Sequence, residues 1–175
     1  VWGVKFERID IILAEGLSDY GIKLEKISDA KGGNNQNYFD YIRVFGGDCY
    51  AVLIYGNAMG NIFSRSLFAT NAHSFVVRGD STYSPRYNVI KDCWFERGET
   101  KEYTGIFITA DTDDTKPIQT IIERCHFGYY AIGINPYKAK QTIIKDCYFS
   151  TLKRAIDIAY GAEDTIIESP YMTNI

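Results

Sequence analysis

The stretch "TIIKDCYFS", Thr142–Ser150, decides the fold because it is one of a series. "TIIERCHFG" (Thr120–Gly128) precedes it and "TIIESPYMT" (Thr165–Thr173) follows it. The apolar letters stay fixed while the charged letters change sign. Upstream, "NVIKDCWF" (Asn88–Phe95) is a clear copy and "NIFSRSLF" (Asn61–Phe68) a good one, with weaker copies at Asn37–Val44 and Val4–Ile11. The copies start at 4, 37, 61, 88, 120, 142 and 165, so the smallest period is about 22 residues, with insertions in some copies.

A second pattern recurs within each period: Gly21–Leu24, Ala51–Ile54, Phe75–Val77, Gly105–Ile108, Ala131–Ile134 and Ala155–Ile158, several of them reading G/A-I-x-I. Each unit therefore holds two or three short strands separated by Gly, Asn and Asp turns. Only the first thirty residues, around "IDIILAEGLSDYGIKLEKI", have room for a helical turn, and Gly16 and Gly21 argue against a long helix there. Units of this length made of short strands predict a solenoid, in which each strand pairs with its equivalent one turn later. Leucine-rich repeats have a similar length, but their spaced Leu/Asn signature is absent.

With its "NVIKDCWF" and "TIIKDCYF" runs, each coupled to a "GIxI" run, the chain resembles the right-handed parallel β-helix, pectin-lyase-like superfamily. The resemblance implies an all-β fold: a single-stranded right-handed parallel β-helix of about seven rungs, roughly 30 Å long, forming one domain over residues 1–175. Polysaccharide lyases, glycosidases and phage tailspikes or tail appendages share that architecture, so the resemblance speaks to fold more than to function.

The bulk numbers narrow the field. A net charge of −3 gives no basic surplus for nucleic acid or an anionic membrane surface. Apolar runs such as "YAVLIYG" are far too short to span a bilayer, so no membrane insertion is expected. No secretory signal pattern opens the chain. It starts Val-Trp-Gly without a Met and neither end reads as a polar cap, which is expected of a piece of a longer protein or of ends covered by neighbouring subunits.

Stacking turns repeat positions into columns. The sixth position reads Ile9, Ile42, Ser66, Cys93, Cys125, Cys147, Pro170, and the eighth reads Ile11, Val44, Phe68, Phe95, Phe127, Phe149, Met172. Both should face inward. No CxxC spacing suggests a metal site, and in-register thiols point the same way, so the column reads as buried free cysteines. Free thiols suit folding in a reducing cytoplasm. Cys49 lies outside the column. The fourth position reads Glu7, Asp40, Ser64, Lys91, Glu123, Lys145, Glu168, and the fifth reads Arg8, Tyr41, Arg65, Asp92, Arg124, Asp146, Ser169. Their alternating signs should hold register, with Lys145 and Asp146 answering Glu123 and Arg124. Asn37, Asn61 and Asn88 head a column of stacked amides, the first entered through a turn at "GGNNQNYF" (Gly32–Phe39).

The seventh position should face out: Asp10, Arg43, Leu67, Trp94, His126, Tyr148, Tyr171. Trp94, His126, Tyr148 and Tyr171 form an aromatic strip suited either to packing against a subunit or loop or to stacking on sugar rings. For catalysis the candidates are outward carboxylates, Asp157 and Glu163, with Arg154 as a basic partner; Asp157 is expected one rung from Gly133 and two from Phe107. "TADTDDTKP" carries Asp111, Asp113 and Asp114, which read as a Ca²⁺ site or as a solvated turn; the Gly and distal Glu of an EF-hand loop are missing. The expected function is recognition of a host surface glycan by a phage tailspike or tail-appendage segment, a homotrimer made in the host cytoplasm and carried on the virion tail. The alternatives are a polysaccharide lyase or glycosidase, secreted in that case, and a purely structural shaft.

Overall fold

The structure is a computed structural model that describes residues 3–14, 20–25, 36–96 and 103–174. Alternating Ile, Val and Phe dictate short strands with one buried face. Twelve of them form one sheet and six another, and every pairing is parallel. In the larger sheet, Lys5–Leu13 pairs with Tyr38–Gly46, which pairs at one end with Ile62–Ser64 and at the other with Leu67–Ala69. The two arms then climb together through Val89–Lys91 and Trp94–Glu96, Ile121–Glu123 and His126–Gly128, and Ile143–Lys145 and Tyr148–Ser150, to Ile166–Glu168 and Tyr171–Thr173. These are the seven copies of the repeat, stacked in the expected order. The smaller sheet stacks Tyr20–Glu25, Tyr50–Tyr55, Phe75–Gly79, Thr104–Ala110, Ile132–Pro136 and Arg154–Ile156. The fold is an all-β parallel solenoid, and connections between parallel strands are right-handed almost without exception. Its first thirty residues contribute strands at Lys5–Leu13 and Tyr20–Glu25 where a helical turn had room. The only helical segment among the described residues is a 3₁₀ turn at Asp113–Thr115. The turn read over Gly32–Asn35 lies outside the described residues.

The chain bends between the two arms at the fifth repeat position. Arg8, Tyr41, Arg65, Asp92, Arg124, Asp146 and Ser169 all have φ between 48° and 58°. A second left-handed column precedes each copy: Gly3, Gln36, Gly60, Tyr87, Gln119, Gln141 and Asp164. Left-handed backbone is costly for residues with a Cβ, so these corners persist because neighbouring rungs hold them. The sixth-position side chain does part of that holding. Ser66 Oγ donates to the Ser64 carbonyl at 2.7 Å, and the thiols of Cys93, Cys125 and Cys147 reach the carbonyls of Lys91, Glu123 and Lys145 at 3.2, 3.4 and 3.4 Å. The thiols are free and buried, as the sequence predicts, and the structure adds that they are weak donors across the corner. Cys49 is buried as well.

The other inward columns stack as expected. Phe95 lies on Phe127 with ring centroids 4.8 Å apart, and Phe127 on Phe149 at 5.1 Å. Phe6, Phe39 and Phe63 make a second ladder in the opposite arm, at 4.8 and 4.3 Å. The amide column is a continuous hydrogen-bonded ladder: Asn37 Nδ2 donates to Asn61 Oδ1 at 3.0 Å, and Asn61 Nδ2 to Asn88 Oδ1 at 3.1 Å. The same oxygens accept from the backbone N–H of Asn37 and Asn61. Above Asn88 the column changes to Thr120, Thr142 and Thr165, whose buried hydroxyls have no hydrogen-bond partner.

In the smaller sheet Leu24, Ile54, Val77 and Ile108 share a column as aligned, and the register departs from the sequence alignment, by two residues, at Ile132–Pro136. Ile134 pairs with Ile106 and Ile156, which sets Gly105, Gly133 and Ala155 in one column. That column must be small because the phenylalanine ladder packs onto it. A Cβ on Gly133 would lie 2.6 Å from the Ala155 carbonyl oxygen and 2.8 Å from Phe149 Cδ1. Shielding also departs from expectation at the fourth position, where Asp40 and Ser64 are buried instead of lining an exposed charged column. Asp40 accepts from Ser64 Oγ at 2.8 Å and from Arg65 Nε at 2.9 Å.

Two substitutions test this architecture by urea unfolding. Asn61→Ala interrupts the amide ladder and strands both the backbone N–H and the Nδ2 of Asn37, and is expected to cost about 2–4 kcal/mol. Gly133→Ala forces the Phe149 ring or the Ala155 backbone aside, and is expected to cost about 1–3 kcal/mol.

Candidate functional site

Once the interior columns are filled, the fifth and seventh positions are left facing solvent on either side of the corner. They enclose a groove of about 800 Å³ over the first four rungs. Arg8, Tyr41, Arg65 and Asp92 line it from the fifth position, and Asp10, Arg43, Leu67 and Trp94 from the seventh. The seventh column is aligned by strand register: Arg43 opposite Leu67, Leu67 opposite Trp94, Trp94 opposite His126, His126 opposite Tyr148, Tyr148 opposite Tyr171.

The four aromatic candidates are thus brought together, but their ring faces are largely spent on one another. Trp94 and His126 have centroids 4.5 Å apart, His126 stacks on Tyr148 at 4.8 Å, and Tyr148 stacks on Tyr171 at 5.1 Å. His126 and Tyr148 are half-buried, while Trp94 is 51% exposed and Tyr171 61%. Trp94 alone of the four also lines the groove. A sugar needs a free aromatic face, which leaves stacking capacity at the two ends of the strip, Trp94 and Tyr171, and of these Trp94 borders the groove. Burial holds the His126 imidazole below its usual value, with Glu96 opposing. Its Nδ1 is buried without a partner, and Nε2 lies 3.4 Å from Ser150 Oγ.

Two of the three arginines of the groove are engaged in ion pairs between rungs. Arg43 Nε meets Asp10 at 2.7 Å and Arg65 meets the buried Asp40. Just above, Arg124 Nε meets Asp92 at 2.7 Å. The sequence paired Arg124 with Asp146 and Lys145 with Glu123; in the structure Arg124 reaches Asp92 in the rung below and Glu123 beside it, and Lys145 reaches Glu168 in the rung above at 3.7 Å. The Arg65 guanidinium, then the Ser64 hydroxyl, hold the Asp40 carboxyl below its usual range. Among the described residues Arg8 and Glu96 make no ion pair.

The catalytic candidates lie elsewhere on the coil. Asp157 is bound by Arg154 at 2.9 Å. Its backbone N–H bonds to the Ile134 carbonyl, so its neighbour one rung away is Asn135 and not Gly133; Phe107 is two rungs away, as expected. Glu163 sits 2.7 Å from Lys116 Nζ and 3.8 Å from Lys140 Nζ, and Lys116 holds its carboxyl below the usual range. A carboxylate kept ionised in this way is poorly suited to protonate a leaving group. Two of the three aspartates of the inserted loop turn to different cations: Asp111 meets Arg78 at 2.6 Å and Asp113 meets Lys138 at 3.4 Å. Among the described residues no group of three or more His, Cys, Asp or Glu side chains could hold a metal ion.

The outer face of the smaller sheet carries a feature that the sequence reading missed. Leu53 and Val76 point outward by strand alternation, yet they are 9% and 3% exposed, because Tyr50, Tyr55, Lys23 and Phe107 close around them in a depression of about 300 Å³. Lys23 lies over the Tyr20 ring at 5.0 Å, and His73 stacks on Phe107 at 5.1 Å. These residues come from four separate rungs and share no short motif. Strand register sets Lys23, Leu53, Val76 and Phe107 in one outward column, and it is the packing of the tyrosines around that column that closes the depression.

Comparison with protein-family models, curated proteins and solved structures returns no match.

The His126 environment sets a pH dependence. With the folded value below the unfolded one, near 6.5, the unfolded chain takes up the proton first as pH falls. Stability is therefore expected to decline from about pH 6.5 down to the folded value, and His126→Phe should flatten that segment in urea unfolding measured from pH 7.5 to 5.

Proposed function

We propose that this chain is a carbohydrate-recognition segment of a phage tailspike or tail appendage, and that the corner groove ending at Trp94 is where a host surface glycan lies. One observation carries the reading: an indole that is half exposed stands at the end of an open groove of about 800 Å³ whose other walls are arginine, tyrosine and carboxylate side chains. A flat apolar face beside fixed hydrogen-bonding groups is the chemistry that binds a pyranose ring. Rigid strands place those groups, and ion pairs between rungs hold Arg43 and Arg65 in position. The free buried thiols favour synthesis in a reducing cytoplasm, in keeping with a virion component. A homotrimer, implied by the resemblance, belongs to this reading and is checked by sedimentation of the full chain.

The enzymatic alternative, a polysaccharide lyase or glycosidase working through Asp157, Glu163 and Arg154, draws less support because both carboxylates already face a cation. A glycan array read alongside a reducing-sugar assay separates the readings. The expected result is binding without depolymerisation, reduced tenfold or more in Trp94→Ala, about the loss of one aromatic–sugar contact. Turnover abolished by Asp157→Asn would transfer the assignment to the enzyme, and silence in both assays would leave a structural shaft.

A further inference from the structure

The fifth-position arginines are not equivalent. Arg65 and Arg124 each reach down one rung to an acid, Asp40 and Asp92 respectively. Arg8 has the same left-handed backbone, with φ of 57°, and lines the same groove, yet it makes no ion pair among the described residues. Arg43, the other arginine of the groove, is occupied by Asp10. Glu96 is the groove acid without an ion pair among the described residues, and it lies two residues from Trp94, at the opposite end. The groove is thus neutral along its length and polarised at its ends, with an available guanidinium on the first rung and an available carboxylate on the fourth. Three strand spacings, roughly 14 Å, separate the two. That is beyond a single sugar and within reach of a short oligosaccharide.

We infer that the groove takes a linear acidic oligosaccharide in one direction: a carboxylate-bearing sugar at Arg8 and an uncharged sugar against Trp94. This rests on the glycan-binding reading above. The planar guanidinium suits a sugar carboxylate because it donates two parallel hydrogen bonds. Glu96 enforces the direction, since the reversed ligand would set its carboxylate beside a like charge.

The test is calorimetric titration of the full chain with a panel of uronate- and sialate-bearing tetrasaccharides, each beside its carboxyl-reduced counterpart. Wild type is expected to prefer at least one acidic member over its reduced form by about tenfold, the worth of one charge-assisted hydrogen bond. Arg8→Ala should erase that preference by bringing the acidic form down to the affinity of its reduced counterpart, and Arg8→Lys should retain part of it. Glu96→Gln should narrow the preference for one ligand direction, read as tighter binding of a tetrasaccharide carrying its carboxylate at the other end. Trp94→Ala should weaken both forms. Equal binding of every acidic and reduced pair, or indifference to Arg8→Ala, overturns the inference and leaves the glycan reading standing. Failure of the whole panel to bind overturns both.

Discussion

The structure depends on a left-handed residue repeated at the same corner of every rung. At the fifth position the backbone turns through φ near +50° seven times, and only two of the fourteen residues in the two corner columns flanking that arm are glycine. A single such corner in isolation would be unstable for Arg, Tyr or Asp. It becomes tenable when the rungs above and below fix the chain through parallel ladders, the amide column and the thiol or hydroxyl that crosses the bend. The cost is local and the compensation lies between rungs, which makes in-register stacking the common requirement of every other feature.

That requirement sorts the side chains. Inward positions go to the two phenylalanine ladders, the isoleucines and the cysteines, whose burial pushes the Cys125 thiol well up and removes it from thiolate chemistry. Small residues at Gly105, Gly133 and Ala155 exist because those rings arrive from across the core. What remains for function is the outside of the corner, where the fifth and seventh columns diverge around a groove. Most charged residues there are tied rung to rung and stiffen the walls, while Arg8 and Glu96, which make no ion pair among the described residues, are the groups to which the proposal assigns the ligand. Exposed ion pairs of this kind add little stability individually, so positioning is the more important part of their role.

The aromatic strip shows why adjacency in a column does not equal availability. Parallel stacking at the strand spacing brings ring on ring, and the closest partner for each face of His126 and Tyr148 is another member of the strip. Trp94 escapes because the residue below it in the column is Leu67, and the indole borders the groove.

The sequence by itself determined the repeat, the strand alternation and therefore which side of the larger sheet each of Cys147, Tyr148 and Phe149 faces. Period-two patterning fixes the face of a side chain without reference to any partner. It also made the amide ladder legible, since three asparagines at one repeat position can satisfy one another only by stacking. It could not fix the register of Ile132–Pro136 in the smaller sheet, because a shift of two residues leaves every isoleucine on its own face; the alignment of Asp157 with Gly133 fails for that reason. Nor could it mark the corners, which carry Arg, Gln, Tyr and Asp where a turn signal would be glycine. Partner choice among charges was likewise left to the tertiary structure: Arg124 meets Asp92 and not Asp146, because side-chain direction at a bent corner, and not sign alternation, decides which neighbour lies within reach. The groove is a product of that same bend, and so it exists only in three dimensions.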